Sequence, residues 1–75
     1  MMTLNDFEQT SLTTFEATND GATLLLFQYG MDWGWTAELN GETLAGGGGF
    51  QRADEALADM LESDDGMEAL AHFMQ

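Results

Sequence analysis

The sequence has no lysine and one arginine, against fourteen aspartate and glutamate residues, so its formal net charge is −13. Direct binding to nucleic acid or to an anionic membrane depends on Lys and Arg side chains that contact phosphate groups. The near absence of cations therefore predicts that neither nucleic acid nor a membrane is a direct partner. A net charge of about 2–8 in magnitude is enough to keep a small domain soluble, so the excess indicates a further role.

Cysteine is absent and histidine occurs once, as His72. The chain therefore has no disulfide and no thiolate metal site, which is typical of a protein in a reducing cytoplasm. A single histidine with no nucleophile beside it and no second histidine or cysteine argues against a catalytic triad and a zinc site. The acidic run that contains Asp64 and Asp65 lacks the alternating ligands of a calcium loop. The sequence predicts no metal, no cofactor and no enzymatic activity.

Long apolar runs are absent as well. No run approaches the roughly 18 residues of a membrane-spanning helix, and the first residues lack the basic and apolar regions of a signal peptide. We therefore expect a cytoplasmic protein. The 75 residues predict one small domain, residues 1–75, near the size at which a single core gives only marginal stability. Such a chain folds on packing alone or forms a homodimer.

Residues 23–29 and 33–40 are the most strand-like parts of the sequence, because apolar and aromatic side chains are concentrated there. Period-two alternation places both tryptophans on one face of the second segment, and we expect that face to meet the helices. The pair Asn40-Gly41 is typical of a two-residue hairpin turn, since both central positions of a type I′ turn need positive φ. These residues predict an antiparallel β-meander.

The segments on either side are weaker. A threonine-rich segment at residues 11–18 predicts a first strand, and residues 42–45 predict a short edge strand. Residues 4–10 fit either a short helical turn or an irregular lead-in. Four consecutive glycines at residues 46–49 favour a flexible connector over a phosphate-binding loop, because no Lys-Ser/Thr pair follows them.

Two amphipathic helices are predicted after the glycines. The first apolar stripe consists of Ala53, Ala56, Leu57, Met60 and Leu61. The second consists of Met67, Leu70, Ala71 and Met74. Asp65 and Glu68 have the spacing of a capping box at the start of the second helix. The predicted fold class is α+β, an antiparallel β-meander of three to four strands followed by two helices packed on one face.

The outer face of the first helix and the start of the second carry a dense set of carboxylates. The predicted partner-binding residues are Asp54, Glu55, Asp59, Glu62, Asp64 and Asp65. Carboxylates on successive helical turns lie about 6 Å apart along the axis, a spacing comparable to that of backbone phosphates. Such a face could occupy the nucleic-acid groove of a basic protein and displace its ligand. We therefore predict a stoichiometric inhibitor that mimics nucleic acid.

Two simpler interpretations of the charge stay open. A run of carboxylates is often only a solvated helix face, and a halophile's solvation coat also replaces lysine with acidic residues. Six methionines and five phenylalanines argue mildly against the halophilic coat. A different alternative is a small oligomerising adaptor or antitoxin-type protein, in which Trp33, Phe73 and Met74 bury an apolar interface and the charge keeps the complex soluble.

Two resemblances follow from these features. Residues 35–41 (WTAELNG) and 49–56 (GFQRADEA) resemble the sheet-plus-helix layout of double-stranded-RNA-binding and plant ethylene-response DNA-binding domains. The basic residues with which those families contact nucleic acid are missing, so the resemblance concerns layout alone. In size and charge the chain is similar to phage-encoded DNA-mimic inhibitors, including anti-CRISPR and anti-restriction proteins. That similarity implies a CRISPR effector complex or a restriction enzyme as the partner, inside the host cell.

Overall fold

A computed structural model describes residues 2–73, which form an α+β fold with one five-stranded antiparallel sheet followed by two helices. The strands are adjacent in chain order. A short 3₁₀ helix, Leu4–Asp6, precedes them. The strands are β1 (Glu8–Ser11), β2 (Thr14–Asn19), β3 (Ala22–Tyr29), β4 (Asp32–Leu39) and β5 (Glu42–Phe50). The helices are α1 (Ala53–Glu62) and α2 (Asp64–Phe73).

Tight turns connect the central strands, and the one at Asn40-Gly41 lies where the sequence predicted it. Asp20 and Gly21 have φ of 51° and 80° between β2 and β3, and Asn40 and Gly41 have φ of 53° and 84° between β4 and β5. Positive φ at both central positions is the requirement of a type I′ hairpin turn, whose twist matches that of the flanking strands. The predicted meander is therefore confirmed in its central hairpins.

The central strands present one face to the helices, as the alternation predicted. Leu24 and Leu26 of β3 are fully buried, and the neighbouring Trp35 of β4 is 2% exposed. These side chains pack against Leu57 and Met60 of α1 in one hydrophobic cluster. The tryptophan face therefore meets the helices, and the sheet supplies half of the core.

The strand count is five, and the prediction of three to four strands was wrong. The predicted strand at residues 11–18 is the end of β1, a turn at residues 12–13 and most of β2. Every residue of β1 is exposed, and the strand has no apolar side chain. Since strand prediction depends on apolar alternation, an edge strand of sequence EQTS gives no such signal.

The glycine run also differs from its prediction as a flexible connector. Residues 46–49 belong to β5, which pairs with β4 up to Phe50. Side chains from other elements lie beside two of these glycines, Gly47 and Gly48. The Tyr29 ring extends to Gly48, and its hydroxyl accepts a hydrogen bond from the Gly49 N–H at 3.1 Å. The space of the missing Gly48 side chain is therefore occupied by an aromatic ring from β3, two strands away in the sheet.

Helix α1 follows its predicted stripe. Ala53, Ala56, Leu57 and Met60 are buried, and Leu61 is half-buried against the same core. The matching i, i+3, i+4, i+7 spacing explains why this stripe was the most predictable part of the chain. The face of α1 that meets the sheet is therefore known from the sequence alone.

Helix α2 packs through different residues from those predicted. Its buried residues are Gly66 and Ala69, while Met67 is 46% exposed and Ala71 is exposed. Of the predicted stripe only Leu70 packs against the core, and Met74 lies outside the described residues. Small residues are required because the first turn of α2 approaches α1 closely. A Cβ atom on Gly66 would overlap the carbonyl oxygen of Met60.

The N-terminal segment takes the short helical form at Leu4–Asp6 alone, whereas residues 8–10, for which a helical turn or an irregular lead-in was predicted, belong to β1. Thr3 caps the 3₁₀ helix through a reciprocal pair of hydrogen bonds with the Asp6 side chain and backbone. Met2 and Phe7 on either side are 7% and 8% exposed and belong to the core cluster. This segment therefore packs beside α1 and contributes to the surface described below.

Candidate functional site

The six predicted partner-binding carboxylates lie on α1 and on the first turn of α2, a surface that we call the helical corner. Ser63 alone separates the two helices. The four residues on α1 are Asp54, Glu55, Asp59 and Glu62, and the two in the first turn of α2 are Asp64 and Asp65. Five of the six predicted carboxylates are therefore exposed on the outer face, and Asp59, which is half-buried, is not.

Asp59 points toward the sheet instead of toward solvent. Its Oδ2 accepts a hydrogen bond from the indole Nε1–H of Trp35 at 2.8 Å. A buried tryptophan needs an acceptor for this N–H, because an unpaired donor in the core costs free energy. The sequence-based placement of Asp59 beside Glu55 and Glu62 as an outward charge was wrong for this reason.

The Asp59–Trp35 bond is expected to stabilise the fold. Replacing Asp59 with alanine removes the acceptor and leaves the buried indole N–H unpaired, at a cost of about 1–3 kcal/mol in the free energy of unfolding. Asp59→Asn retains a side-chain oxygen acceptor and should cost less than half as much. Urea unfolding followed by circular dichroism measures both, and equal losses would show that the charge of Asp59, not its hydrogen bond, supplies the stability.

Asp54 neutralises the single cation of the chain. The Arg52 Nε–H and Nη2–H donate to Asp54 Oδ1 at 3.0 Å and to Oδ2 at 2.7 Å. The hydrogen bond and the charge of Asp54 raise the pKa of Arg52. Both side chains are largely exposed, so this pair adds little to stability. Its consequence is electrostatic: the one arginine presents no uncompensated positive charge to a partner.

The N-terminus of α2 is capped by Ser63, and not by the predicted capping box of Asp65 and Glu68. The helix begins at Asp64, and the Ser63 hydroxyl oxygen accepts a hydrogen bond from the Gly66 N–H at 3.3 Å. Asp65 lies inside the first turn and cannot be the cap, so the Asp65–Glu68 box is wrong. Asp64 and Asp65 both occupy the first turn, where acidic side chains interact favourably with the helix dipole.

Carboxylates cover the rest of the surface as well. Of the fourteen acidic side chains, all but Glu38 and Asp59 are exposed, and no polar or charged residue among residues 2–73 is buried. Within this described range, no group of three or more His, Cys, Asp or Glu side chains is arranged to hold a metal ion. His72 is half-buried in the last turn of α2.

An apolar groove runs beside the acidic corner and was not predicted from the sequence. It consists of two hollows of about 250 Å³ and 220 Å³ that share Met2 and Leu61. Their lining residues are Met2, Thr3, Leu4, Asp54, Leu57, Ala58, Leu61, Met67 and Leu70. The groove was missed because Met67 was assigned to the buried stripe of α2. The small residues Gly66 and Ala69, three apart on one face, are the signal that would have placed Met67 outward.

The aromatic residues of the alternative apolar interface are used within the fold. Trp33 is half-buried and packs against Phe15, with ring centroids 5.9 Å apart. Phe73 is half-buried against the core, and its carbonyl oxygen accepts a hydrogen bond from the Asn19 side chain at 2.6 Å. These two side chains are therefore not the main exposed apolar surface of the molecule.

No protein-family model, curated protein or solved structure matches this chain. Neither α1 nor α2 is long enough or apolar enough to cross a membrane, among the residues that the structure describes.

Proposed function

We propose that this chain is a stoichiometric inhibitor that occupies the nucleic-acid-binding site of a basic protein, such as a CRISPR effector or a restriction-type enzyme. The observation that supports this proposal is the combination of a surface of exposed carboxylates with a single cation that is already paired with Asp54. An anionic protein surface steers toward a cationic groove and competes there with nucleic acid.

The helical corner is the best candidate for the contact surface. Glu55 and Glu62 remain outward on α1, about 10 Å apart along the helix axis from seven residues of rise. Asp64 and Asp65 continue the series across the one-residue connection. Asp59 is occupied by Trp35 and Asp54 by Arg52, so we assign the four outward carboxylates the larger part of the binding.

The test first finds the target and then measures competition. Tagged protein captures partners from a nuclease-treated bacterial lysate, and elution is compared between a salt gradient and added DNA. Each captured protein is then purified, and its binding to a labelled DNA duplex is measured with increasing amounts of this chain. We expect displacement that saturates at one chain per DNA site and weakens strongly with salt.

Two variants with the same net charge locate the contact. The corner variant carries Glu55→Gln, Glu62→Gln, Asp64→Asn and Asp65→Asn. The sheet variant carries Glu8→Gln, Glu16→Gln, Asp20→Asn and Glu42→Gln, all at exposed positions in the strands and turns of the sheet. We expect the corner variant to lose at least about tenfold in competition and the sheet variant much less. Equal losses in the two variants would show that only the net charge matters. The proposal would be overturned if added DNA did not release the captured partners.

An adaptor that works through an apolar interface is the second candidate. The observation that favours it is the apolar groove with its exposed methionine, Met67, rather than Trp33 or Phe73. Under this reading the corner variant would retain its partner, and binding would persist at high salt.

A further inference from the structure

The apolar groove has the form of a binding site for two adjacent side chains. One hollow lies between the N-terminal segment and α1, and the other lies between Met2, Leu61 and α2. Because Met2 and Leu61 line both, the hollows adjoin each other. Their volumes of about 250 Å³ and 220 Å³ are each large enough for one bulky apolar side chain.

The walls of the groove are apolar and open to solvent. Met67 is 46% exposed, and Leu61 and Leu70 are half-buried. Methionine side chains are flexible and polarisable, so they adapt to the shape of an incoming apolar group. A cluster of this kind on a highly charged surface is typical of an interaction site.

The rim of the groove is anionic. Glu62 follows Leu61 in α1, and Asp64 lies one helical turn before Met67 in α2, whereas the charge of the lining residue Asp54 is compensated by Arg52. The nearest cation along the chain is Arg52, which is paired with Asp54. An apolar ligand that carries positive charges on its flanks therefore complements both the groove and its rim.

We propose that this groove binds a basic amphipathic helix of the target protein. Two apolar side chains one helical turn apart, at positions i and i+4, enter the two hollows, and Lys or Arg side chains beside them face Glu62 and Asp64. Helix-in-groove recognition uses this anchor spacing. The proposal rests on the proposed function, because it specifies which kind of segment on a basic target the inhibitor holds.

A second copy of this chain is a poorer occupant. Each copy carries a net charge of −13, and a symmetric contact through the groove would bring two Glu62 and Asp64 rims together. Like charges at an interface oppose association. Charge complementarity therefore favours a cationic partner over self-association.

The test uses three synthetic helical peptides of about 18 residues, long enough for helix formation on the surface. The first has leucine at i and i+4 positions with lysine elsewhere on the flanks, the second replaces lysine with glutamate, and the third replaces leucine with alanine but keeps lysine. Binding is followed by NMR through the methyl groups of the methionines. We expect the leucine–lysine peptide to shift the Met2 and Met67 signals and to bind at least about tenfold more tightly than either control.

Matched substitutions on the protein complete the test. Met67→Glu adds a polar, charged group inside the groove. Met31→Glu is the control, because Met31 is 89% exposed and lies in a turn far along the chain from α2. We expect Met67→Glu to weaken the leucine–lysine peptide by about tenfold and Met31→Glu to leave it unchanged. Because the added carboxylate attracts lysine, a loss at Met67 reports apolar contact rather than charge.

Other outcomes overturn this inference. If the alanine–lysine peptide binds as tightly as the leucine–lysine peptide, the attraction is only electrostatic. If sedimentation shows a dimer that Met67→Glu dissociates, the groove belongs to a second copy of the chain. The peptides contain neither the target nor nucleic acid, so failure here is separate from failure of the DNA-competition experiment that tests the proposed function.

Discussion

Replacing Gly66 with alanine is expected to destabilise the fold by about 2–4 kcal/mol, although the same change in an open helix would stabilise it by about 1 kcal/mol. The added Cβ would overlap the Met60 carbonyl oxygen, and it would also lie 3.1 Å from Met60 Cγ and 3.2 Å from the Met60 carbonyl carbon. Met60 is fully buried, so α2 must move away from α1 to relieve the overlap. Thermal unfolding followed by circular dichroism should show a Tm lower by about 10 °C or more.

The sign of the change makes this experiment decisive. Ala71→Gly provides the calibration, because Ala71 is exposed in the same helix and should show only the propensity cost of about 1 kcal/mol. If Gly66→Ala raises the Tm instead, the two helices do not make the close contact described here. The acidic corner and the apolar groove would then lose their common geometry, since Ser63 alone connects the two helices.

Local chemistry explains which parts of the fold the sequence predicted. The Asn40-Gly41 turn and the apolar stripe of α1 depend on a few neighbouring residues, and both are found where they were expected. Strand β1 was missed because its pairing with β2 comes from main-chain hydrogen bonds and leaves no apolar pattern. Main-chain pairing of an exposed edge strand has no counterpart in hydrophobic periodicity.

Long-range contacts explain the larger errors. Glycines 46–49 look like a linker in isolation, but the Tyr29 ring occupies the space beside Gly48, and Trp35 and Asp59 occupy the space beside Gly47. In the same way, Gly66 looks like a helix breaker until the Met60 carbonyl beside it is known. In both cases a group from another secondary-structure element occupies the space of the missing side chain, and a single sequence does not reveal such a group.

The sequence predicted which carboxylates belong to the candidate site better than it predicted where their side chains point. Glu55, Glu62, Asp64 and Asp65 lie exposed on one corner, as the helical spacing indicated. Asp59 does not, because the Trp35 indole N–H required an acceptor from across the core. The groove beside the corner depends on how Met2 packs near Leu61, a contact between residues almost sixty positions apart in the chain.

The substitution Gly47→Ala should destabilise the fold by about 2–3 kcal/mol, a result that a flexible connector would not give. A Cβ at this position would lie 2.7 Å from Trp35 Nε1 and 2.8 Å from Asp59 Oδ2. It therefore forces apart the two atoms of the Trp35–Asp59 hydrogen bond, which is itself 2.8 Å long. Urea unfolding monitored by circular dichroism gives the free energy of unfolding.

Gly48→Ala is the matched control, one residue further along the same strand. Its Cβ would meet the hydroxyl end of Tyr29, a side chain that is 49% exposed and can rotate away, so we expect a loss of less than about 1 kcal/mol.

A double variant separates strain from hydrogen bonding. In an Asp59→Ala background, Gly47→Ala should cost less than it does alone, because both changes remove the same bond. Full additivity of the two losses would contradict the role assigned to Gly47, since the glycine would then matter for some reason other than the space beneath Trp35 and Asp59.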